Sequence, residues 1–282
     1  MKKSLLVTLA LSLVLVAAGC SKTTENTTEE VATEVEDATE AVEEDAAEAE
    51  DTAEAETEAD TENAATAEGV MSYADYVAAD VDTEVCVETY VQAKQAWWED
   101  NGVGQATFYT QNQDGAFFVY NLPCSQEDYD KLVPGTKIKV TGFKSEWSGE
   151  VEITDATYEI EDTDTFVADA KDVTDLLGKD ELIDYQNQFV SFKGMTVEAA
   201  NDAGDAFLYK WDGSGTEGDD LYFNVSLDGN TYTFTVESYL CDKDSDVYKA
   251  VQNLKVGDVV DMEGFLYWYE GVNPHITSVS VQ

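Results

Sequence analysis

Two stretches of the chain have nearly the same pattern of residues. They read "KLVPGTKIKVTGF" at 131–143 and "NLKVGDVVDMEGF" at 253–265, 122 positions apart, with glycines in matching places. Upstream of each lies an alternating run interrupted by Asp-Gly, "TFYTQNQDGAFFVYNL" in the first copy and "LYFNVSLDGNTYTFTVE" in the second. Alternation around Asp-Gly is a strong signal for a β-hairpin. The chain is therefore predicted to contain two similar β-rich units, each of about 100 residues.

Each copy has the same predicted order of elements: a short helix, a long strand, the Asp-Gly hairpin, a second short helix and a final hairpin. Ser125 in the first copy, and Asp244 or Ser245 in the second, suit the N-cap of the second helix. Gly142 and Gly264 lie inside the fourth strand of their copies, where glycine usually marks a bulge or a tight bend.

Five strands with a helix between the third and the fourth resemble the OB-fold, a Greek-key barrel. The predicted fold class is mostly β, with two tandem five-stranded OB-fold-like Greek-key barrels at 70–165 and 166–282. Known OB-folds bind ligands on the face of strands two and three and with the loops after strands one and four. The resemblance implies a binding face but no particular chemistry.

The first nineteen residues have the order of a lipoprotein signal peptide. Lys2 and Lys3 precede an apolar run from Leu5 to Ala18, which is shorter than the ~20 residues that cross a bilayer as a helix. The sequence "VAAGC" resembles the lipobox of bacterial lipoprotein precursors. The resemblance implies cleavage before Cys20 and acylation of Cys20, with stable anchoring in the lipid bilayer at the extracellular face of the cell membrane. The alternative is an ordinary cleavage site beside a chance cysteine.

Residues 20–69 are predicted to form a disordered acidic linker that begins at the lipidated cysteine. Residues 21–69 contain 19 acidic residues, one lysine and no aromatic residue. Such a segment cannot bury enough apolar surface to offset the entropy lost on ordering. With this linker and its two copies, the chain is similar to uncharacterised lipoproteins of Gram-positive bacteria that carry two OB-fold domains. That similarity implies a fold and a cellular location, but it implies no ligand and no reaction.

Beyond residue 69 the composition is that of a globular protein, and it is strongly acidic. This part holds 41 of the 60 acidic residues of the chain and 12 of its 15 lysines, and there is no arginine, so its net charge is about −29. Phosphate binding depends on Lys and Arg contacts, so nucleic acid is not expected as a partner. Cationic or neutral partners are favoured.

Aromatic residues are concentrated in the loops that OB-folds use for binding. The candidate ligand-binding residues are Trp97, Trp98, Phe143, Trp147, Tyr209, Trp211, Tyr267, Trp268 and Tyr269. Strand alternation puts Phe143 and Trp147 on the outward side of the first barrel, and the same count groups Phe265 with Tyr267 and Tyr269 in the second. Rings at these places suit stacking on a ligand. The alternative is that they cover an open barrel end or form the contact between barrels.

A weak metal signal is present in the second copy. "DKDSD" at 242–246 begins like a calcium loop, but Val247 and Asn253 stand where an EF-hand needs Gly and Glu. An acidic helix start, favoured by the helix dipole, is the alternative. No metal and no cofactor is predicted.

Cysteine and histidine give no catalytic motif. Cys86 and Cys124 could form a disulfide in the first copy, with free buried thiols as the alternative for these two and for Cys241. His275 is the only histidine, and no motif places a serine or cysteine beside it. The chain is therefore not expected to be an enzyme.

The leading hypothesis is a membrane-anchored extracellular module that binds a cell-envelope glycan, a peptide or a protein partner through its aromatic loops. The alternative is a structural or adaptor lipoprotein whose barrels dock on another envelope protein without a small ligand. Nucleic-acid binding is a frequent role of OB-folds and ranks last because of the charge.

Overall fold

The structure is a computed structural model that describes residues 69–282. The predicted signal peptide at 1–19, Cys20 and the predicted linker up to residue 68 lie outside the described residues. Within 69–282, no helix is long and apolar enough to cross a membrane. The described residues fall in one compact unit of the chain.

Two sheets follow one another along the chain, each with short helices. The first half contains α1 (Tyr73–Ala78), β1 (Glu84–Lys94), β2 (Trp98–Asp100), β3 (Val103–Gln111), β4 (Ala116–Pro123), α2 (Gln126–Lys131), β5 (Thr136–Trp147) and β6 (Glu150–Thr165). The second half contains β7 (Lys171–Asp172), 3₁₀ turns at Thr174–Leu176 and Asp180–Tyr185, β8 (Phe189–Glu198), β9 (Phe207–Tyr209), β10 (Leu221–Leu227), β11 (Asn230–Val236), α3 (Asp246–Gln252), β12 (Val259–Phe265) and β13 (His275–Val281).

The strand pairings give two OB-fold-like barrels. In the first sheet the order β1-β5-β6-β4-β3 closes through a β1–β3 pairing, and we name this ring barrel 1. In the second the order β8-β12-β13-β11-β10 closes through β8–β10, and we name this ring barrel 2. The prediction of a mostly β chain with tandem OB-fold-like units is confirmed. The domain boundary between residues 165 and 166 stays a prediction.

Local sequence signals account for the helix starts and the barrel interiors. Ser125 and Ser245 cap α2 and α3, each accepting a backbone N–H three residues ahead, as N-cap serines do. On β5, Ile138 and Val140 are completely buried, while Lys137 and Lys139, which alternate with them, are partly exposed, as the alternation of a strand imposes. Each barrel therefore has its own apolar core.

Glycines produce the predicted irregularities in the fourth strands. The β5–β6 register shifts around Gly142, and the β12–β13 register shifts at Gly264. A Cβ atom at Gly264 would lie 2.2 Å from the carbonyl oxygen of His275, which is closer than any side chain tolerates. Close backbone approach therefore requires glycine at this position.

The two Asp-Gly hairpins differ in their turns. In barrel 1 the last strand pair is Gln111 with Ala116, so four residues form the turn, whereas Leu227 pairs with Asn230 in barrel 2 and leaves two. Tyr109 and Phe223 stand equally far ahead of their Asp-Gly, yet Phe223 lies in the core of barrel 2 and Tyr109 lies outside the core of barrel 1. Side chains on a strand alternate between faces, so the two strands run in opposite phase relative to their Asp-Gly, and the two-residue difference in turn length does not account for this phase.

Tyr109 is the centre of the contact between the barrels. Its ring stacks on Phe265 of barrel 2 with centroids 4.5 Å apart, and both side chains are buried. Its hydroxyl lies 2.6 Å from Nδ1 of His275. Phe118 completes the cluster with an edge contact to Tyr109. We name this contact the joint: Tyr109, Phe118 and Glu150 of barrel 1 with Phe265 and His275 of barrel 2.

Glu150 is a carboxyl buried inside the joint. Its side chain is completely inaccessible to solvent, and Oε2 accepts the backbone N–H of Trp268 at 2.9 Å and a side-chain N–H of Gln186 at 3.3 Å. Oε1 has no hydrogen-bond partner among the described residues. Burial raises the pKa of Glu150 to about 8, so this carboxyl is largely protonated at neutral pH.

The raised pKa of Glu150 predicts that high pH weakens the fold. The folded state holds a proton that the unfolded chain, with an ordinary carboxyl pKa near 4.5, releases. The stabilising contribution is full below that value and is lost as the pH rises through about 8. We expect Glu150→Gln to reduce the fall in unfolding free energy between pH 5 and 9 by up to roughly 1 kcal/mol per pH unit.

Urea denaturation at several pH values measures this effect. Glu159→Gln is the matched control, because it removes the same charge from an exposed position on the same strand. An identical pH profile for wild type and Glu150→Gln would show that Glu150 titrates alike in the folded and unfolded chain.

Candidate functional site

An aromatic cleft of about 1050 Å³ lies beside the joint. Seven Trp, Tyr and Phe side chains of the described residues are strongly exposed, at 43% to 76%, and six of them line this cleft. The six are Trp98, Tyr120, Trp147, Trp211, Tyr239 and Tyr269. Three belong to barrel 1 and three to barrel 2, so the cleft is a product of both.

The tips of two equivalent hairpins meet at one wall of the cleft. Trp147 ends β5 in barrel 1, and Tyr269 lies in the longer connection after β12 in barrel 2. Their ring centroids are 5.0 Å apart at an interplanar angle of 39°. The backbone N–H of Glu270 donates to the carbonyl of Ser148 at 2.7 Å, which ties the two tips together. This wall is therefore fixed by contacts between the barrels.

The floor of the cleft continues into the joint. Tyr267 stacks on His275 with centroids 4.2 Å apart and meets the edge of Phe118. Burial raises the pKa of Tyr109 well above its usual value and lowers that of His275 to about 3. The phenol therefore keeps its proton and donates to Nδ1 of a neutral imidazole. The floor carries no charge at neutral pH.

Carboxylates supply the charge of the cleft. Asp220, Glu237 and Glu270 line it, and no lysine does among the described residues. Glu237 is only 9% exposed; its Oε2 accepts a side-chain N–H of Gln95 at 3.2 Å, and its Oε1 accepts the backbone N–H of Tyr239 at 3.3 Å. Burial raises the pKa of Glu237 to about 7, and the nearby Asp220 charge adds to the effect.

Five of the nine candidate residues lie at the cleft. These are Trp98, Trp147, Trp211, Tyr267 and Tyr269. Strand alternation grouped Phe265 with Tyr267 and Tyr269. The ring of Phe265 is covered by Tyr109, so at this residue the structure shows a contact between the barrels.

The other four candidates lie elsewhere. Trp97 packs against the core of barrel 1 and donates its indole N–H to the carbonyl of Cys124 at 3.0 Å. Tyr209 and Trp268 pack against the core of barrel 2. Phe143 is 43% exposed but away from the cleft.

Several lining residues were not predicted from the sequence. Tyr120 is on β4, the third strand of barrel 1 and part of the face that OB-folds use for binding, whereas Glu237 and Tyr239 follow the end of β11, outside the usual binding loops. Tyr120 shares the outward parity of Phe118 on its strand, and that parity on the third barrel strand was the signal that could have found it.

The weaker chemical signals resolve as structural features. The calcium-like stretch forms a turn in which Asp242 accepts the backbone N–H of Asp244 at 2.9 Å, just before α3. Across residues 69–282, no group of three or more His, Cys, Asp or Glu side chains could hold a metal ion. Cys86, Cys124 and Cys241 are free thiols.

Comparisons with known proteins concern the fold. No protein-family model matches the chain, and no curated protein does. Among solved structures it resembles a murine DNA-binding protein bound to double-stranded DNA, with 11% identity, a TM-score of 0.34 and coverage of 70% of this chain and 94% of that one. It also resembles the p204 HINb domain, at 12% identity, a TM-score of 0.33 and coverage of 72% and 99%.

A third resemblance is to a replication protein A heterotrimer bound to single-stranded DNA. The identity is 13%, the TM-score is 0.30, and the match covers 71% of this chain and 49% of that one. The OB-fold-like barrels are shown by the strand pairings of this chain.

These structures contradict the partner ranking made from the sequence. The sequence predicted a module that binds a glycan, a peptide or a protein, with no nucleic acid expected and nucleic acid ranked last. Two of the three solved structures are bound to DNA, one to double-stranded and one to single-stranded DNA. The ranking rested on net charge. Net charge is a sum over the whole surface and does not specify the chemistry of any one face, so it was an insufficient basis for excluding a partner class.

Truncating the cleft rings should cost little stability. Trp147 and Tyr269 are 54% and 44% exposed, so Trp147→Ala and Tyr269→Ala should each lower the unfolding free energy by about 1 kcal/mol, the size of one aromatic pair. Phe108→Ala, in the core of barrel 1, should cost about 3 kcal/mol or more. Urea denaturation at neutral pH measures all three. Losses as large as that of Phe108→Ala would make the cleft rings structural.

Proposed function

We propose that this chain is a binding protein whose aromatic cleft holds a small organic ligand with a flat, apolar body. The observation that carries the proposal is the gathering at one cleft of six of the seven strongly exposed aromatic side chains within residues 69–282. The volume of the cleft, about 1050 Å³, lies just above the range of roughly 300–1000 Å³ for small-molecule sites.

The rings of the cleft are available to a ligand because they lie outside the cores of both barrels. The cores of both barrels are complete without them, and Trp211 at 76% exposed and Tyr239 at 67% exposed are among the most exposed apolar side chains described. Aromatic rings left in water are a cost to the free protein, and a flat ligand between them would remove that cost. Amides of Gln95, Asn121 and Asn273 along the lining supply polar contacts that orient a ligand.

We propose binding rather than catalysis. His275, the only histidine of the chain, is neutral and is bonded to Tyr109 in the joint. Burial raises the pKa of Cys124 to about 11 and that of Cys241 to about 12, which disfavours a thiolate nucleophile at either position.

Calorimetry with 4-methylquinoline, a flat molecule that is uncharged at pH 8, tests the proposal. We expect saturable binding to the full-length protein, and a loss of roughly tenfold in affinity, about 1.4 kcal/mol, for Trp211→Ala. Phe143→Ala is the matched control, because Phe143 is an exposed ring outside the cleft. It should bind the probe like wild type.

A single-stranded oligothymidine provides the contrasting arm of the same experiment. The proposal fails if 4-methylquinoline does not bind while the oligonucleotide does, with Trp211→Ala weakening that binding. It also fails if Phe143→Ala and Trp211→Ala change the affinity for 4-methylquinoline by the same factor.

We further propose that the protein is a lipoprotein anchored at the extracellular face of the cell membrane. Three sequence features in the expected order support this proposal: a basic start, an apolar run and the sequence "VAAGC" that ends at Cys20. The predicted acidic linker follows directly.

Removing the lipidated cysteine tests the anchor. Cys20→Ala should leave the protein unprocessed or release it from membranes, because it removes the thiol that would carry the acyl chains. Membrane fractionation with acyl labelling measures this, and Cys124→Ala is the control that keeps the label. Absence of the acyl label from wild-type protein would sink the assignment.

A further inference from the structure

We propose that the ligand of the aromatic cleft carries a positive charge, and that Glu237 is the side chain that selects for it. This inference rests on the proposed function and narrows it to one ligand class, organic cations with a flat body. It concerns specificity, since stacking on the rings alone does not distinguish a cation from a neutral molecule of the same shape.

The charges of the cleft have one sign. Its lining contains the three carboxyl groups of Asp220, Glu237 and Glu270, and no lysine among the described residues. His275 at the floor is neutral. An anionic ligand would meet these carboxylates without a compensating cation, whereas a cation would be attracted by them and by the faces of the surrounding rings.

Glu237 differs from the other two carboxylates of the cleft. Asp220 is engaged by Ser238, accepting its backbone N–H at 2.8 Å and its hydroxyl at 2.6 Å. Glu270 is exposed, and water screens its charge. Glu237 combines a lining position with burial, so its attraction for a ligand charge is the least screened of the three.

The carboxylate of Glu237 is held in place but has unused acceptor capacity. Each oxygen accepts one N–H, from Gln95 of barrel 1 and from the backbone of Tyr239, and a carboxylate offers about four acceptor positions. No ion pair joins Glu237 to a lysine within residues 69–282. A ligand cation would therefore be its first positive partner in this part of the chain.

The surroundings of Glu237 make the selection sensitive to pH. The titratable groups that face it are Asp220 just before β10, Tyr222 from β10, Tyr109 from β3, Tyr267 after β12 and Cys241 on its own segment. Burial raises the pKa of each of the four uncharged groups, so at neutral pH only Asp220 adds a charge. With the pKa of Glu237 at about 7, its charged fraction rises between pH 6 and pH 8, and binding of a permanent cation should strengthen with it.

A pair of probes of nearly equal shape tests the inference. N-methylquinolinium is a permanent cation, and 4-methylquinoline is uncharged at pH 8. In calorimetry on the full-length protein, we expect the cation to bind at least tenfold more tightly at pH 8. We also expect its affinity to rise by up to about tenfold from pH 6 to pH 8, since a group of pKa near 7 changes from mostly protonated to mostly ionised over that range.

Glu237→Gln removes the charge and keeps the shape. It should bring the two probes within about twofold of each other and abolish the pH dependence, with the affinity for 4-methylquinoline unchanged. Glu152→Gln is the matched control, because burial raises the pKa of Glu152 to about 7 as well, but Glu152 does not line the cleft. It should keep both the preference and the pH dependence.

The possible outcomes distinguish a failure of cation selection from a failure of the proposed binding function. Equal affinities of the two probes for wild type would overturn the cation selection and leave the proposed binding function standing. A preference that survives Glu237→Gln would overturn the role of Glu237. Failure of both probes to bind would overturn the proposed function itself.

Discussion

The stack of Tyr109 on Phe265 holds one barrel against the other, and the aromatic cleft exists only because both barrels supply a wall. The two rings are 0% and 3% exposed, so separating the barrels would return both to water at a cost of roughly 1.5–3 kcal/mol each. Tyr109 also donates to His275, which stacks on Tyr267 at the floor. One contact thus sets the spacing of the walls and the position of the floor between them.

The same contact accounts for the unusual carboxyl groups. Glu150 and Glu237 lie where two acidic barrels meet and water is excluded, and burial raises their pKa values to about 8 and about 7. Desolvation makes the protonated form the cheaper one to bury. Carboxyls that are neutral, or close to it, reduce the repulsion between two barrels of the same sign. At Glu237, a bound cation would replace the proton in that role.

Local pattern predicted the barrels, and packing between distant residues decided the site. Alternation, Asp-Gly turns and N-cap serines are properties of neighbouring residues, so the element order, Ser125, Ser245 and the bulge at Gly142 followed from the sequence. Tyr120 and Glu237 were not predicted, because they come together at one cleft only when the two barrels pack through contacts such as that of Tyr109 with His275, 166 positions apart. The class of binding partner was not predicted either, since the total charge of a protein does not describe any single part of its surface.

The two copies contribute different surfaces to the joint. Tyr109 faces outward to meet Phe265, whereas Phe223, at the matching place in the second copy, faces the core of its own barrel. The contact is heterologous, because it joins β3 and β4 of barrel 1 to Phe265 and His275 of barrel 2. The matching face of barrel 2, which carries Tyr222 and Thr235, lines the cleft instead. One face of the fold thus serves assembly in one copy and the cleft in the other.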